Sequence, residues 1–387
     1  MARVLYVSQC YSTHDHRFLE LLAGSEHEVW FLPCASVGAQ HEAGPVPPGI
    51  HSLPPLSNKT CSPFRANWIR AAMRFRRLVR ILKPDLLHAG PLQTGGFFAA
   101  LSGFHPFLIM SWGSDVLSVP DSSRWMKALT KFALRRADMA LGDCEAVCER
   151  ISALTSPATE QIVCFPWGIN QSGSRRTHST LGLRKALGWE ECQIIVSARS
   201  FETVHGTMSF VRAMECILHQ RPDVRVLMLG DGSLMQEVSK YLRSHGIAGK
   251  FHLPGHAPED LLPDYFAEAD LYVSATPCDG SSISLLQAMG CGLPVVVADA
   301  GGNREWVTHG QNGWLYAAAD IGALTAATSR ALNGSALWTA IGRANISCVE
   351  ARANWKRNSQ QLLIAYDRLL EPRDAREVQA DAELQNR

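Results

Sequence analysis

The chain has 387 residues, 46% of them hydrophobic and 19% charged, so it can bury a large core and is not globally disordered. Lysine and arginine exceed aspartate and glutamate by one (37 against 36), which argues against a dedicated nucleic-acid-binding protein, since such proteins carry a strongly basic surface. At about 150 residues per domain, this length predicts two or three domains.

The cysteines are 11 in number and are spread thinly along the chain. No Cys-x-x-Cys pair occurs, and Cys144 and Cys148 have no second pair at zinc-finger spacing. This usage predicts a reduced, cytoplasmic protein with free thiols, in preference to a disulfide framework or a structural zinc site.

Short apolar segments alternate with helix-length segments from the N-terminus onward. The first apolar run, 4–7, is too short for a signal-peptide core and predicts a strand. The longest apolar stretch, 86–112, is interrupted by glycines and prolines, so it does not predict a membrane span, which needs about 20 nearly uninterrupted apolar residues. The other predicted strands of this half are 29–32, 86–88, 107–110 and 139–141, and its predicted helices are 18–23, 65–82, 95–101 and 123–136.

A polar stretch rich in glycine and serine interrupts this alternation around residues 168–183 and predicts a linker. Beyond it the alternation resumes, with predicted strands at 194–197, 224–229, 251–253, 271–273 and 294–297 and helices at 208–219, 235–244, 261–267 and 284–289. Such alternation predicts an α/β fold with parallel sheets covered by helices on both faces.

The chain therefore divides into two domains of similar size. We expect a Rossmann-like domain over 1–170, a linker over 171–183, a second Rossmann-like domain over 184–350, a C-terminal helix over 351–370 that packs back on the first domain, and a flexible tail over 371–387. Two such sheets place a cleft between their carboxyl ends, where doubly wound sheets bind ligands.

The strongest motif lies in residues 278–315. A loop rich in glycine and serine, 279–282, runs directly into a predicted helix, whose N–H groups and dipole can receive a diphosphate. Asp279 and Gln287 lie eight residues apart, so both can reach one extended ligand. A second glycine-rich turn, 301–306, follows. The alternative is that these glycines and serines only make tight turns and that Gln287 is a polar residue of a helix surface.

This segment resembles the donor-binding signature of glycosyltransferase family 4, whose members are retaining enzymes with the GT-B fold. The family has two glutamates at this spacing, then Ala-Met-Ala-x-Gly-x-Pro-Val-Val and a Gly-Gly-x-x-Glu turn. The resemblance covers nearly the whole chain, is most specific over 195–315, and implies two Rossmann-like doubly wound domains facing a central cleft. Further matching segments are Ser197-Ala198-Arg199, His205-Gly206, Gly230-Asp231-Gly232, Leu253-Pro254-Gly255-His256 and Pro84-Asp85-Leu86-Leu87-His88-Ala89.

The resemblance implies a donor site in the second domain. Asp279 takes the place of the acid that lies against the transferred sugar, and Gln287 that of the acid that binds the ribose. Arg199 is expected to pair with the diphosphate, and we assign it to catalysis together with Asp279. The other donor-binding candidates are His205, Gly255, His256, Gly280, Ser281, Ser282, Ile283, Ser284, Arg304 and Glu305.

Three of these positions depart from the family pattern. Asp279 and Gln287 stand where the family has glutamates, and His205 stands where it usually has a lysine. Because a histidine is mostly neutral near pH 7, we hypothesise that Arg304 supplies the missing charge; the alternative is a solvated surface arginine.

The first domain should hold the acceptor, since polar residues follow its predicted strands. The acceptor-binding candidates are Ser12, His16, His88, Trp112 and Gly113. Asp115, in a loop that resembles the family's loop beside the reacting sugar, is interpreted as a catalytic residue in preference to a helix N-cap. For His88 a buried, hydrogen-bonded histidine is an equal alternative, and His14, Asp15 and His16 are not interpreted as a metal site.

Residues 64–83 hold seven basic side chains and no acid, with apolar residues at helical spacing. A basic amphipathic helix of this kind can rest on an anionic membrane surface. The alternative is an ordinary packed helix with a solvated basic face.

The resemblance to glycosyltransferase family 4 implies an enzyme that moves a sugar from a nucleoside-diphosphate sugar to a glycan, lipid or small-molecule hydroxyl with retention of configuration. We expect no metal or other cofactor, no nucleic-acid partner, and a cytoplasmic location with contact to the inner membrane surface. One alternative is a non-catalytic nucleotide-sugar-binding subunit, favoured by the changes at Gln287 and His205. A dinucleotide-dependent oxidoreductase is a weaker one, because Met235 stands where its glycine fingerprint needs the third glycine.

Overall fold

The computed structural model describes residues 1–36, 44–58, 68–155, 162–170 and 179–371. The chain forms two compact units, of which the first comprises Met1–Phe165 with the described residues from Ser359 onward, and the second comprises Pro166–Asn358. Residues 171–178 of the predicted linker (171–183), residues 372–387 of the predicted tail (371–387) and residues 64–67 of the predicted basic helix (64–83) lie outside the described residues.

The first unit is built on a parallel sheet. Among the described residues its strands are β1 (Arg3–Ser8), β2 (Glu28–Pro33), β3 (His51–Ser52), β4 (Leu86–Ala89), β5 (Phe107–Met110), β6 (Met139–Gly142) and β7 (Ile162–Cys164). Their order is β3-β2-β1-β4-β5-β6-β7, and every pairing is parallel. The five predicted strands are confirmed. The two that were not predicted, β3 and β7, are short edge strands with little buried apolar surface.

Helices cover both faces of this sheet. In the order of the chain they are α1 (Thr13–Ala23), α2 (Trp68–Leu82), α3 (Gly95–Ser102), α4 (Ser114–Leu117), α5 (Arg124–Arg136) and α6 (Glu145–Thr155). Central strands β4, β5 and β6 are buried at every position, as expected for a sheet covered on both sides. Buried side chains of α2, α3, α5 and α6 join these strands in one apolar core.

The second unit repeats this plan. Its described strands are β8 (Gln193–Ala198), β9 (Val224–Leu229), β10 (Phe251–Gly255), β11 (Leu271–Val273), β12 (Val295–Ala298) and β13 (Trp314–Tyr316), in the parallel order β10-β9-β8-β11-β12-β13. The predicted strands are confirmed, and β13 was missed. Two apolar cores occupy the two faces of the sheet.

The helices of the second unit follow its strands. They are α7 (Leu183–Leu187), α8 (Thr207–Gln220), α9 (Met235–Ser244), α10 (Leu262–Ala267), α11 (Ile283–Gly290), α12 (Asn303–Trp306), α13 (Ile321–Asn333), α14 (Trp338–Arg352) and α15 (Trp355–Asn358). The last helix, α16 (Gln360–Leu370), belongs to the first unit, where the Tyr366 hydroxyl lies 2.7 Å from His88 Nδ1 of β4.

Strand order reverses once in each sheet, between β1 and β4 and between β8 and β11. The loops that leave neighbouring strands diverge at such a point, which opens a crevice at the carboxyl ends of the strands. Each unit therefore has one topologically favoured ligand position. Within the part of the chain that is described, no helix has the length and apolar character that crossing a membrane requires.

Candidate functional site

Arg199 lies at the strand reversal of the second unit. It is the first residue after β8, while the loop 274–282 leaves the neighbouring strand β11 and leads into α11. Because both segments start at the same edge of the sheet, the arginine and the loop meet there.

The Arg199 guanidinium binds three groups of that loop and helix. Its Nη2 donates to Asp279 Oδ2 at 2.7 Å, and its Nη1 donates to Ser282 Oγ at 2.9 Å and to Ser284 Oγ at 3.4 Å. The ion pair is partly accessible, with 15% of the arginine side chain and 20% of the aspartate side chain exposed. Ser282 occupies the N-cap position of α11 without capping it through its side chain. The arginine thus carries a positive charge at the start of a helix, where an anion is favoured.

His205 is the fourth partner of this arginine. Its Nδ1 lies 2.9 Å from Arg199 Nη2, and since a guanidinium can only donate, Nδ1 accepts. Burial, reinforced by the positive charge of Arg199, lowers the pKa of His205 to about 4. The histidine is therefore neutral at pH 7, and it orients Arg199 without adding a second cation.

Tyr272 is a member of this cluster that sequence reasoning missed. It lies on β11, fully buried, and its hydroxyl is 2.9 Å from Ser284 Oγ, which also accepts from Arg199. Burial raises the pKa of Tyr272, so its hydroxyl stays protonated. A tyrosine one residue before the end of a predicted central strand is the signal that could have identified it.

Glycines allow the loops of this cluster to approach closely. Gly206 has a φ of +67°, and a Cβ there would collide with the carbonyl of Ala275 after β11. A Cβ at Gly230, after β9, would collide with the carbonyl of Arg199. Larger residues at either position would push apart the segments that hold the arginine.

The other donor-binding candidates lie around this cluster at the same sheet edge. The Gly280 N–H donates to Asp279 Oδ1 at 3.1 Å, and Trp306 Nε1 donates to Ser281 Oγ at 3.4 Å. The Gly302 N–H donates to the Asp279 carbonyl at 3.0 Å, which joins the second glycine-rich turn to the first.

Candidates further from Arg199 include Gly255, which ends β10 and accepts from the Gly230 N–H at 2.8 Å, with His256 exposed beside it. Ile283 and Gln287 are half-buried on α11. Glu305 of α12 accepts from Arg352 through its carbonyl.

Arg304 has a partner of its own. Its Nε donates to Asp299 Oδ1 at 2.6 Å and its Nη2 donates to the Asp299 carbonyl at 2.9 Å. With 62% of its side chain exposed, this pair lies on the surface of the unit. Its charge is thus already matched by a carboxylate.

Asp115 of the first unit is the centre of a buried hydrogen-bond network. Its Oδ1 accepts from Ser111 Oγ at 2.7 Å and from the Trp112 N–H at 2.9 Å, and its Oδ2 accepts from the Leu92 N–H at 3.0 Å. Only 5% of the residue is exposed, and burial raises the pKa of its carboxyl group. Gly113, not Asp115, is the N-cap of α4. This arrangement holds together the loops after β4 and β5.

His88 is fully buried on β4, with the Tyr366 hydroxyl at its Nδ1 and the Tyr6 ring 4.8 Å away, centroid to centroid. This placement favours the interpretation as a buried histidine. Ser12 is also buried and caps α1, because its Oγ accepts from the Asp15 N–H at 3.2 Å. His16 is half-buried, and its Nδ1 lies 2.7 Å from the Tyr11 hydroxyl.

The structure therefore brings Arg199, His205, Asp279, Ser282 and Ser284 together by direct hydrogen bonds. Trp112 and Gly113 lie in the loop after β5 and Asp115 in the first turn of α4, which follows it, whereas Ser12 lies in a different network around Asp15. Over the described ranges, no cluster of three or more His, Cys, Asp or Glu side chains is placed to hold a metal ion.

Comparison with known protein families matches each half of the chain. Residues 192–334 match a family described as glycosyl transferases group 1, and residues 3–141 match one described as glycosyl transferase 4-like.

Curated relatives are similar at low identity. The chain is 23% identical over 252 residues to a sulfoquinovosyl transferase of Arabidopsis thaliana, covering 62% of this chain and 48% of that protein. It is 26% identical over 154 residues to a GDP-mannose-dependent phosphatidylinositol monomannoside mannosyltransferase of Mycolicibacterium smegmatis, covering 38% and 40%. The chain spans about half the length of the curated relatives it matches.

Solved structures share the fold over nearly the whole chain. Sucrose-phosphate synthase of Thermosynechococcus elongatus superposes with a TM-score of 0.76 at 17% identity, covering 95% of this chain and 99% of that one. HepE of Anabaena, solved in complex with UDP and glucose, gives a TM-score of 0.76 at 17% identity and covers 95% and 100%. These values establish a common GT-B fold.

Proposed function

We propose that this chain, which belongs to the GT-B glycosyltransferases of the family 4 type, transfers a sugar from a nucleoside-diphosphate sugar to an acceptor hydroxyl with retention of configuration. The observation that carries the proposal is the Arg199 cluster, a partly exposed guanidinium at a strand reversal and a helix start. One relative named as a sulfoquinovosyl transferase and another named as a phosphatidylinositol monomannoside mannosyltransferase suggest glycan, polysaccharide or glycolipid synthesis.

Arg199 is assigned to the leaving diphosphate. Negative charge grows on the diphosphate as the glycosidic bond breaks, and a positioned guanidinium stabilises it by paired hydrogen bonds. Asp279 and the two serines hold the arginine in place. Donor binding then exchanges the Asp279 carboxylate for diphosphate oxygens, and the freed carboxylate faces the sugar.

The remaining steps follow from this placement. The acceptor hydroxyl attacks on the face that the diphosphate leaves, and a donor phosphate oxygen takes its proton. Gln287 is assigned to the ribose, Gly255 and His256 to the base, and residues 280–284 to the diphosphate. Of the first-unit candidates, His16, Trp112 and Gly113 are proposed to contact the acceptor. Ser12, His88 and Asp115 are enclosed by their own hydrogen bonds and are proposed to hold these loops in place. We expect activity to survive treatment with a chelator.

The helix α2 suggests a lipid-linked acceptor. Its apolar stripe at Ala71, Phe75 and Val79 packs inward, while Ile69, Met73 and Ile81 are 54%, 61% and 69% exposed. Exposed apolar side chains between cations are typical of helices that rest on anionic membrane surfaces. The exposed cations are Arg70, Arg74, Arg76, Arg77, Arg80 and Lys83, and the first two line a cavity of about 420 Å³ with residues 54–58.

Sedimentation with vesicles tests the membrane contact. We expect binding to phosphatidylglycerol vesicles at low salt, weak binding to phosphatidylcholine, and loss of binding in the double variant Arg76→Glu, Arg77→Glu. Arg221→Glu in the second unit is the matched control. If the double variant binds the vesicles as well as the wild type does, the assignment of α2 to the membrane contact is overturned.

The transfer proposal is tested in two stages. First, thermal shift with UDP, GDP, ADP and CDP identifies the donor class. Second, transfer is measured for wild type, Asp279→Ala and the control Asp223→Ala, whose aspartate pairs with Arg221 on the surface. We expect Asp279→Ala to lose transfer but keep nucleotide binding, because Arg199 is then free for the diphosphate.

A non-catalytic nucleotide-sugar-binding subunit is the second candidate, favoured by the neutral His205 beside Arg199. Binding of a nucleoside diphosphate without turnover across glycan, lipid and small-molecule acceptors would support it. Wild-type transfer rates in Asp279→Ala would contradict the assigned mechanism.

A further inference from the structure

Three cysteines of the first unit meet where β6, α6 and β7 come together. Cys144 is buried before α6, Cys148 is half-buried in the first turn of α6, and Cys164 is exposed as the last residue of β7. The sequence relates the first two by spacing alone. The third joins them because β7 pairs with β6.

A glycine makes room for the thiols. Gly142 of β6 and Cys164 of β7 are register partners in the parallel pair, so their side-chain positions lie next to each other on one face of the sheet. A Cβ at Gly142 would lie 2.6 Å from the sulfur of Cys148. The Cys148 sulfur therefore fills the space of the missing side chain, beside the Cys164 side chain.

The two thiols are therefore neighbours: the strand register places Cys164 beside Gly142, and the Cys148 sulfur lies over Gly142. The interaction with Cys164, together with burial, raises the pKa of the Cys148 thiol. Cys148 thus keeps its proton at neutral pH. The exposed Cys164 is the thiol that a solvent-borne oxidant meets first.

We propose that Cys148 and Cys164 form a redox-responsive dithiol that a peroxide converts to a disulfide. The Cys164 thiolate attacks one oxygen of hydrogen peroxide and becomes a sulfenic acid, and the other oxygen leaves as hydroxide, which takes a proton to form water. The Cys148 sulfur then attacks the sulfenic sulfur of Cys164. The hydroxyl of the sulfenic acid leaves as water, taking up the proton of the Cys148 thiol. Two thiols and one peroxide give one disulfide and two waters, and a thiol reductant reverses the change.

The position of the pair gives the oxidation a consequence. Cys164 is followed by Phe165, the last residue of this part of the first unit, and the chain enters the second unit at Pro166. A disulfide to α6 ties down the strand end from which the chain leaves the unit. We expect slower amide exchange at Cys164 and Phe165 in the oxidised protein.

The test uses the full chain and does not depend on sugar transfer. The protein is treated with hydrogen peroxide, alkylated, digested and analysed by mass spectrometry, before and after dithiothreitol. We expect a reducible Cys148–Cys164 crosslink in the wild type and in the control Cys216→Ser, whose exposed cysteine lies on α8. In Cys148→Ser, the fraction of Cys164 oxidised to sulfinic and sulfonic acids should be at least tenfold larger than in the wild type.

Two outcomes would overturn the proposal. One is peroxide oxidation of Cys164 to sulfinic acid to the same extent in wild type and Cys148→Ser. The other is a crosslink of Cys164 to a cysteine other than Cys148. Should Cys148→Ser fold poorly, Cys164→Ser gives the complementary result, since Cys148 is then expected to stay reduced under the same treatment.

Discussion

The two units carry the same type of strand reversal but fill it differently. In the first unit the polar residues near the reversal are sealed, with His88 fully buried and Asp115 5% exposed. In the second, the side chains of Arg199 and Asp279 keep 15% and 20% exposure. His88 and Asp115 are thus closed to a ligand, whereas Arg199 and Asp279 are open to one.

This difference separates residues that hold the fold from residues that can exchange partners. The Asp115 carboxylate is occupied by the N–H groups of Leu92 and Trp112 and the hydroxyl of Ser111, so breaking these bonds costs structure. Arg199 binds side chains that can turn away, and its partners include a partly exposed carboxylate that another anion can replace. Resemblance to a family motif alone does not distinguish the two cases.

Replacing Arg199 should have the largest effect. Arg199→Ala removes the charge assigned to the leaving diphosphate, and we expect transfer to fall about 100-fold or more, on the order of 3 kcal/mol. Arg199→Lys should recover only part of it, because lysine keeps the charge but lacks the planar fork. The measurement is the rate of transfer with the donor found by thermal shift.

The matched control is Arg221→Ala, which removes a surface arginine of the same unit paired with Asp223. It should leave transfer within about twofold of wild type, as expected for an exposed ion pair. Equal losses in both variants would mean that Arg199 acts through stability, and the contrast between the two units would disappear.

Acidification should weaken the first unit through His88. Burial lowers the pKa of His88 to about 3 from its ordinary 6.5, so below pH 6.5 the unfolded chain binds a proton that the folded unit does not. His88 therefore does not reduce the free energy of unfolding above pH 6.5. Below that pH the free energy of unfolding falls toward pH 3, by roughly 3 kcal/mol at pH 4. Urea titrations at several pH values, followed by hydrogen exchange of peptides from β4, measure the free energy of unfolding. In His88→Gln this free energy should depend less on pH.

Asp15 works in the opposite direction. Burial raises its pKa from 3.8 to about 6, so between these values the folded unit binds the extra proton and stability falls as the pH rises. Asp15→Asn should therefore steepen the loss of stability on acidification. If neither His88→Gln nor Asp15→Asn changes the dependence of stability on pH, these two side chains are not buried in the way proposed.

Asp115→Asn should cost stability and little else. The amide keeps one oxygen, but its NH₂ group then faces an N–H or hydroxyl donor in a buried place, which costs about 2 kcal/mol and lowers Tm by about 4 to 8 °C. Asp121→Asn, at an exposed ion pair with Arg150, is the control and should change Tm by about 2 °C at most. Loss of transfer at unchanged Tm would instead establish the catalytic role assigned to Asp115.

Most of the fold was predictable because parallel strands buried on both faces leave continuous apolar runs. The runs 4–7, 107–110 and 139–141 became central strands. The missed strands β3, β7 and β13 lie at sheet edges and are two or three residues long, so no such run marks them.

The sequence named Arg199 and its four hydrogen-bond partners, but it did not give their geometry and it missed Tyr272. Spacing relates Asp279 to Gln287, but only the reversed strand order brings Arg199, 80 residues earlier, within 2.7 Å of Asp279. In the first unit the sequence likewise did not establish that Asp115 and His88 are enclosed, because burial depends on how the elements pack. Tyr272 was missed because a strand residue is normally interpreted as core.

Arg304→Ala should have the smallest effect, and it tests the hypothesis that Arg304 supplies the charge that His205 lacks. The guanidinium is 62% exposed and already binds the carboxylate and carbonyl of Asp299, so donor binding would have to break both contacts. We expect donor affinity to change less than about threefold and stability by less than about 0.5 kcal/mol. Calorimetric titration of the nucleoside diphosphate into Arg304→Ala and Arg199→Ala gives the comparison directly. A loss in Arg304→Ala that approaches that of Arg199→Ala would mean that Arg304 leaves Asp299 when the donor binds, and that the open region holds two cations.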